Sequence, residues 1–305
     1  MDQSHSTRPL RLVTFDLYDT LIELHPQRWE RLQVALLRLG IESDAGALRA
    51  ADLIAEDFFT GENGQVPIRD RPQATREQFR LKFMEVWLTA AALPADEITV
   101  RDARRLYLAE YETPAVEKGP YGGYRMFGDV IPALQRLREA GVKRAVISNA
   151  DDDVTALCTH MAFAHEMNLI VTSAIVGFEK PEPRTYRAAL DPLGVDPSDA
   201  LHIGDQPRSD EAGALAIGMR AALIDRYERH DQANHDVPVF TGLDEFVDHV
   251  LAVNAAAQVA ILRWRSRALP WSACCQLTLA NQHSWVNDAA RWSKAESTSA
   301  QCRTA

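Results

Sequence analysis

Positive charge is scarce in this 305-residue chain, where 33 Lys and Arg face 43 Asp and Glu for a formal charge of −10. Binding to a nucleic-acid backbone rests on clustered cations that release counterions. No long Lys/Arg run supplies them, so neither DNA nor RNA is expected as a partner. Cysteine is sparse too. Cys158 and, far downstream, Cys274, Cys275 and Cys302 make neither a disulfide framework nor a spaced zinc site, and they suit a reducing compartment. No window approaches the roughly 20 apolar residues of a membrane span, and Met1 to Arg8 lacks the apolar stretch of a signal peptide. A cytoplasmic protein without a membrane partner is expected, its oligomeric state open. Apolar residues are present in ordinary amount, 46%. At this length that suffices for roughly two domains with sizeable cores.

Five short, almost wholly apolar runs read as strands buried on both faces of a parallel sheet: Leu10 to Phe15, Arg144 to Ile147, Leu169 to Val171, Ala200 to Ile203 and Ala221 to Ile224. Val237 to Phe240 is a weaker sixth. Helical patterns alternate with them over Asp129 to Ala140, Pro183 to Leu190 and Asp210 to Ile217, with Gly141 and Gly218 standing where left-handed caps are expected. This predicts a doubly wound α/β core, residues 1–22 and 123–253, whose ligand lies beyond the carboxyl ends of the strands. Between its first two strands, helical patterns cover Pro26 to Leu39, Ala45 to Phe59, Arg76 to Ala92 and Thr99 to Tyr111. They predict an inserted helical cap domain, residues 23–122, entered near His25-Pro26 and left through Pro120 to Gly123, where a glycine pair offers a hinge. From Asn254 the composition shifts, with four of the six tryptophans and a charge of +4. Residues 254–305 read as a helical extension followed by a poorly ordered tail.

The chemistry-bearing residues fall at strand ends. Asp16 closes the first strand in Phe15-Asp16-Leu17-Tyr18-Asp19-Thr20, and a carboxylate there is a candidate nucleophile. Ser148 and Asn149 close the second, a hydroxyl and an amide ahead of helix-start N–H groups able to bind an anion. Lys180 sits in Gly177-Phe178-Glu179-Lys180-Pro181-Glu182-Pro183, a loop stiffened by two prolines so that its ammonium is aimed. Asp205 and Asp210, in Gly204-Asp205-Gln206-Pro207-Arg208-Ser209-Asp210, are two carboxylates at one edge, a donor set suited to Mg²⁺.

These four elements, in this order, resemble the haloacid dehalogenase superfamily of hydrolases over residues 10 to 252, and most of all a dehalogenase-like subgroup with a helical cap. The resemblance implies that Asp16 is the nucleophile, that Ser148, with Asn149, binds substrate oxygen, and that Lys180 neutralises Asp16 and the substrate. It also implies that Asp205 and Asp210 hold Mg²⁺ together with Asp16 and the backbone carbonyl of Tyr18.

Tyr18 departs from the phosphatase pattern. The family's phosphatases carry there a second Asp that protonates the leaving alkoxide; a phenol titrating near 10 is a poor proton shuttle at neutral pH. Tyrosine at this position resembles the 2-haloacid dehalogenases, whose halide leaves without a proton. Gly204-Asp205 points back, because those dehalogenases carry Ser-Asn there and use no metal. Asp16, Asp205, Asp210 and Lys180 sum to −2, and two like charges about 4 Å apart cost several kcal/mol at an effective dielectric near 20. A divalent cation relieves that repulsion. The leading expectation is Mg²⁺-dependent hydrolysis of a small, anionic phosphate ester. A metal-free dehalogenase and a catalytically weak binding protein keeping the fold are the alternatives. Trp29, Arg69 and Arg71 are candidates for selectivity in the cap, while His160, His165 and His202 show no ligand spacing and read as structural.

Overall fold

The computed structural model describes residues 8–118 and 121–268. Strand β1 (Leu12–Phe15) lies mid-sheet between β4 (Lys143–Ser148) and β6 (Ala200–Gly204). With β5 (Leu169–Thr172), β7 (Arg220–Ile224) and β8 (Val239–Phe240) they form a six-stranded sheet ordered β5-β4-β1-β6-β7-β8, every neighbouring pair parallel. The fold is α/β, as the alternation predicts.

Apolar residues run unbroken along these strands because both faces are covered. Val13, Phe15 and Val146 face one layer, made by Val130 and Leu134 of α5 (Val130–Glu139) and by Phe246, Val247 and Val250 of α7 (Leu243–Ala268). Leu12, Ala145 and Ile147 face the other, against Tyr186, Ala189 and Leu190 of α6 (Pro183–Leu193). The alternation is the period-2 geometry of a strand. Gly141 and Gly218, at φ +72° and +83°, adopt the left-handed backbone their positions predict.

One expectation changes. The stretch Leu243–Arg263 is, by length and hydropathy, long and apolar enough to cross a membrane, contrary to the sequence reading. Its buried face, Leu243, Phe246, Val247 and Val250, belongs to the core layer. Helix α7 runs to Ala268; the rest of the segment read as a tail, like Pro120, lies outside the described residues.

The chain leaves the sheet through β2 (Ile22–Leu24) and returns through β3 (Tyr124–Met126), which pair antiparallel with Leu24 opposite Tyr124. Between them stand α1 (Arg28–Arg38), α2 (Ala45–Gln65), α3 (Gln73–Ala90) and α4 (Glu97–Lys118). They carry an apolar cluster of their own, Trp29, Leu32, Leu36, Leu48, Met84 and Trp87 among its members. Asp44 caps α2 by accepting from the Ala47 amide at 2.8 Å. Helix α2 runs past Phe59 to Gln65, through two glycines, because Thr60 and Asn63 on its last turns find partners in the core.

Candidate active site

Asp16 is the first residue beyond β1, and its amide donates to the Ile203 carbonyl at 2.9 Å, so the side chain emerges from the centre of the sheet. Lys180 Nζ donates to Asp16 Oδ1 and to Asp210 Oδ1, both at 2.6 Å. The ammonium is 2% exposed, and burial of an ion costs several kcal/mol unless its bonds repay it. Two carboxylates at one nitrogen do so, holding Lys180 above its ordinary range despite burial. Asn149 fixes the lysine from behind: its amide nitrogen donates to the Lys180 carbonyl at 3.0 Å, and its oxygen accepts from the Lys180 amide at 2.7 Å. Expected to bind substrate, Asn149 lines the cavity but spends its amide on this loop.

Asp205 follows β6, and Asp210 lies on a π-helical turn, Pro207–Ala212, that folds back on the strand end. Gly204 permits this, since a Cβ there would overlap the Asp210 side chain. Asp210 Oδ2 accepts from the Gln206 amide at 2.9 Å, and Oδ1 meets His202 Nε2 at 3.0 Å. His202 is wholly buried and anchored at Nδ1 by Thr14 Oγ1, 2.8 Å away. His202 thus belongs to the site, as a support for Asp210. Although burial works the other way, Lys180 and His202 hold the Asp210 carboxyl below the usual carboxylate range. Burial pushes Asp16 up to about 6 against the pull of Lys180. Burial also raises Asp205 well above its ordinary value, aided by the charges of Asp19, Asp16 and Asp210.

Oxygen atoms of Asp16, Asp205 and Asp210 lie within 4.8 Å of one another. Three buried carboxylates, two of them reluctant to ionise, are a hard donor set short of positive charge, which fits a divalent cation such as Mg²⁺. Ser148, at the end of β4, is wholly buried with an Oγ that has no partner among the described residues, and it stands outside the cavity lining.

The sum of −2 left out the surroundings. Arg229 Nη2 donates to Asp205 Oδ2 at 2.9 Å, and its Nη1 reaches Asp52 Oδ2 of α2 at 3.3 Å. Arg28 of α1 donates to the same Asp52 oxygen at 3.0 Å, to Asp19 Oδ2 at 3.0 Å, and pairs with Glu56 at 3.2 Å. A chain of alternating charges therefore runs from Asp205 through Arg229, Asp52 and Arg28 to Asp19. Arg229 is presented by a tight turn whose Asp225 carboxylate accepts from the amides of Tyr227, Arg229 and His230 at 3.3, 2.8 and 2.7 Å. Asp19, in the left-handed region at φ +54°, also accepts from the Tyr227 hydroxyl at 3.2 Å. Its oxygens are thus directed to Arg28 and Tyr227, and it does not stand in for the missing second Asp. Tyr18 lines the cavity with its ring 5.8 Å from that of Tyr124.

One cavity of about 420 Å³ collects Asp16, Tyr18, Asn149, Lys180, Asp205 and Asp210 with residues of α2, α3 and α4. The inserted helices thus wall the same cavity as the nucleophile candidate. Three selectivity candidates fall outside it. Trp29 packs edge-on against Tyr227 with centroids 4.9 Å apart, Arg69 pairs with Glu179 at 2.9 Å, and Arg71 donates to the Val66 and Glu62 carbonyls over the Phe79 ring.

A family description for haloacid dehalogenase-like hydrolases matches residues 10–218. The chain belongs to this family of hydrolases. The haloacid dehalogenase-like hydrolase domain-containing protein 3 of Bos taurus is 28% identical over 229 residues, covering 74% of this chain and 86% of the relative. The phosphoserine phosphatase of Thermus thermophilus is 34% identical over 104 residues, covering 34% of this chain and 42% of that enzyme. The crystal structure of an L-2-haloacid dehalogenase shares the fold at a TM-score of 0.53 and 18% identity, spanning 80% of this chain and 99% of the other. Asp16, Lys180 and the Asp205/Asp210 pair converge at the carboxyl edge of the sheet.

Proposed function

We propose that the protein is a Mg²⁺-dependent phosphatase of small-molecule phosphate esters, with Asp16 as nucleophile. The observation that carries this reading is the convergence of Asp16, Asp205 and Asp210 around Lys180; the kinship with a phosphoserine phosphatase supports it. Those three carboxylates, with the Tyr18 carbonyl by family resemblance, would hold Mg²⁺, which would offset the charge gathering on the phosphoryl oxygens. In the first step an Asp16 oxygen attacks phosphorus, the ester P–O bond breaks and the organic part leaves as an alkoxide or aryloxide. Lys180 offsets charge on Asp16 and on the incoming anion. The family resemblance gives Ser148 a phosphoryl oxygen to bind; its unpartnered hydroxyl is buried behind the cavity lining and would have to be uncovered to donate to one. Water then attacks the aspartyl phosphate, releasing inorganic phosphate and restoring Asp16.

Neither Tyr18 nor the engaged Asp19 supplies the proton that an alkoxide needs, so leaving groups stable as anions are favoured. The inserted helices would act as a lid, moving about Gly122-Gly123 and Pro26 and excluding water while the intermediate exists. A metal-free dehalogenase is the second reading, favoured by Tyr18 and by Arg229, which already places a cation on Asp205. There Asp16 would attack carbon and a halide would leave. A panel of phosphate esters and 2-haloacids, assayed with Mg²⁺ and with chelator, separates the two. Phosphate release lost on chelation is expected; halide release unaffected by chelator would overturn the reading.

A further inference from the structure

The cavity above Asp16 changes character with height. At its floor stand the carboxylates and Lys180, whereas its upper wall is built from Phe59 of α2, Phe83 and Met84 of α3, Leu108 of α4 and Ile68 between α2 and α3. Phe59 and Phe83 meet edge to face, 5.8 Å between centroids. The polar groups of this upper part are engaged with one another. Thr60 donates to Gln206 at 2.8 Å, Asn63 donates to Glu179 and accepts from the Ile68 amide at 2.6 Å, and Arg104 grips Glu77 through two bonds at 2.9 and 3.1 Å. Arg28 is spent on Asp19, Asp52 and Glu56. A sugar or polyol placed here would bury hydroxyls against groups already paired, the arrangement by which a site rejects a ligand.

One cation is left over. Arg80 lines the cavity and is exposed; its charge also acts on Glu77, the carboxylate that Arg104 already holds through two bonds, so two arginines share one carboxylate and a positive charge remains. Arg80, Phe83 and Met84 stand three and four residues apart on α3, so they share one face of the helix. Along that face exposure falls from the open Arg80 through half-buried Phe83 to buried Met84.

We propose that the substrate is a phosphate monoester whose organic part is an apolar ring bearing a carboxylate at its outer end. The ring lies against Phe59, Phe83 and Met84, and the carboxylate meets Arg80. This rests on the phosphate-ester reading and goes beyond it by naming the body and the far end of the substrate.

Non-hydrolysable phosphonates test it without turnover. Calorimetry on the full chain in Mg²⁺ compares methylphosphonate, benzylphosphonate and 4-carboxybenzylphosphonate. Benzylphosphonate is expected to bind at least about tenfold tighter than methylphosphonate, as burial of a ring against apolar walls requires. The added carboxylate is expected to gain roughly a further fivefold, as for one partly exposed charge pair, and Arg80→Ala to abolish that gain while leaving the benzyl gain intact. Equal binding of the methyl and benzyl compounds, or a carboxylate gain that survives Arg80→Ala, would overturn the inference and leave the phosphatase reading standing. Failure of all three phosphonates to bind would remove the phosphatase reading and the inference with it.

Discussion

The floor and the roof of the cavity are built on opposite principles. The floor is rigid and charged: Lys180 is held by two carboxylates and by Asn149, and Asp210 by Lys180, His202 and the Gln206 amide. The roof is helical and largely apolar, and it cancels its own charges in pairs such as Arg104 with Glu77. A nucleophile and its counter-ions must be held within a fraction of an ångström, which strand ends braced by a parallel sheet supply. A ligand's organic part needs only shape and exclusion of water. The difference teaches which half to alter for rate and which for choice of substrate. Ion pairs join the two halves through the chain of charges at Arg229 and Arg28, and also at Arg69 with Glu179 and at Arg208 with Asp57.

The largest effect is expected on the floor. Asp16→Asn removes the proposed nucleophile while nearly preserving shape, and hydrolysis should fall by at least about three orders of magnitude with the fold intact. Turnover of more than a few per cent in a sample free of deamidation would take the nucleophile away from Asp16. The link comes next. Arg229→Met leaves Asp205 and part of Asp52 uncompensated in a buried site, and urea unfolding should report a loss of about 3–5 kcal/mol. Mg²⁺ should restore part of that loss by binding the native state. A variant as stable as the parent would show that floor and roof are not joined through this arginine.

A smaller change is expected at Tyr18. Tyr18→Asp restores an acid and base worth at most roughly 10²–10⁴ in rate. Its signature is selective: kcat/KM should rise more for an alkyl phosphate than for an aryl one. An equal change for both esters would mean that proton transfer is supplied elsewhere. The smallest effect belongs to Arg71, which packs over Phe79 outside the cavity. Arg71→Ala should cost about 0.5–1 kcal/mol of stability and leave KM unchanged; a rise in KM would extend the binding surface beyond the cavity.

The two halves also differ in how far the sequence discloses them. Asp16, Ser148, Lys180, Asp205 and Asp210 each lie near an apolar run or a proline-stiffened loop, so neighbours in the chain announce their place at the sheet edge. The strands and most helices follow from the same local patterns. The roof is assembled at long range. Asp52, Arg28 and Arg229 meet across 24 and 177 residues of chain, and each reads alone as an ordinary surface charge. Phe59, Phe83 and Leu108 read as core positions of their helices, and only packing reveals the space between them. The strands β2 and β3, three residues each, are too short to show a period. His202 escaped because its partners, Thr14 and Asp210, are joined to it by strand pairing and a folded-back turn rather than by ligand spacing.

The ribbon of β2 and β3 has a bearing on how such a molecule changes over generations. Leu24 and Tyr124 sit side by side, so the sheet sees the whole intervening segment as one loop whose ends are already tied. Closing a loop becomes only slowly harder with length, about 0.6 kcal/mol for each doubling. Helices between the two strands can therefore be lengthened, shortened or exchanged as a cassette while the sheet below keeps its register. A lineage with this architecture can try new upper walls against an unchanged reaction centre, and a protein engineer can do the same by cutting at the ribbon.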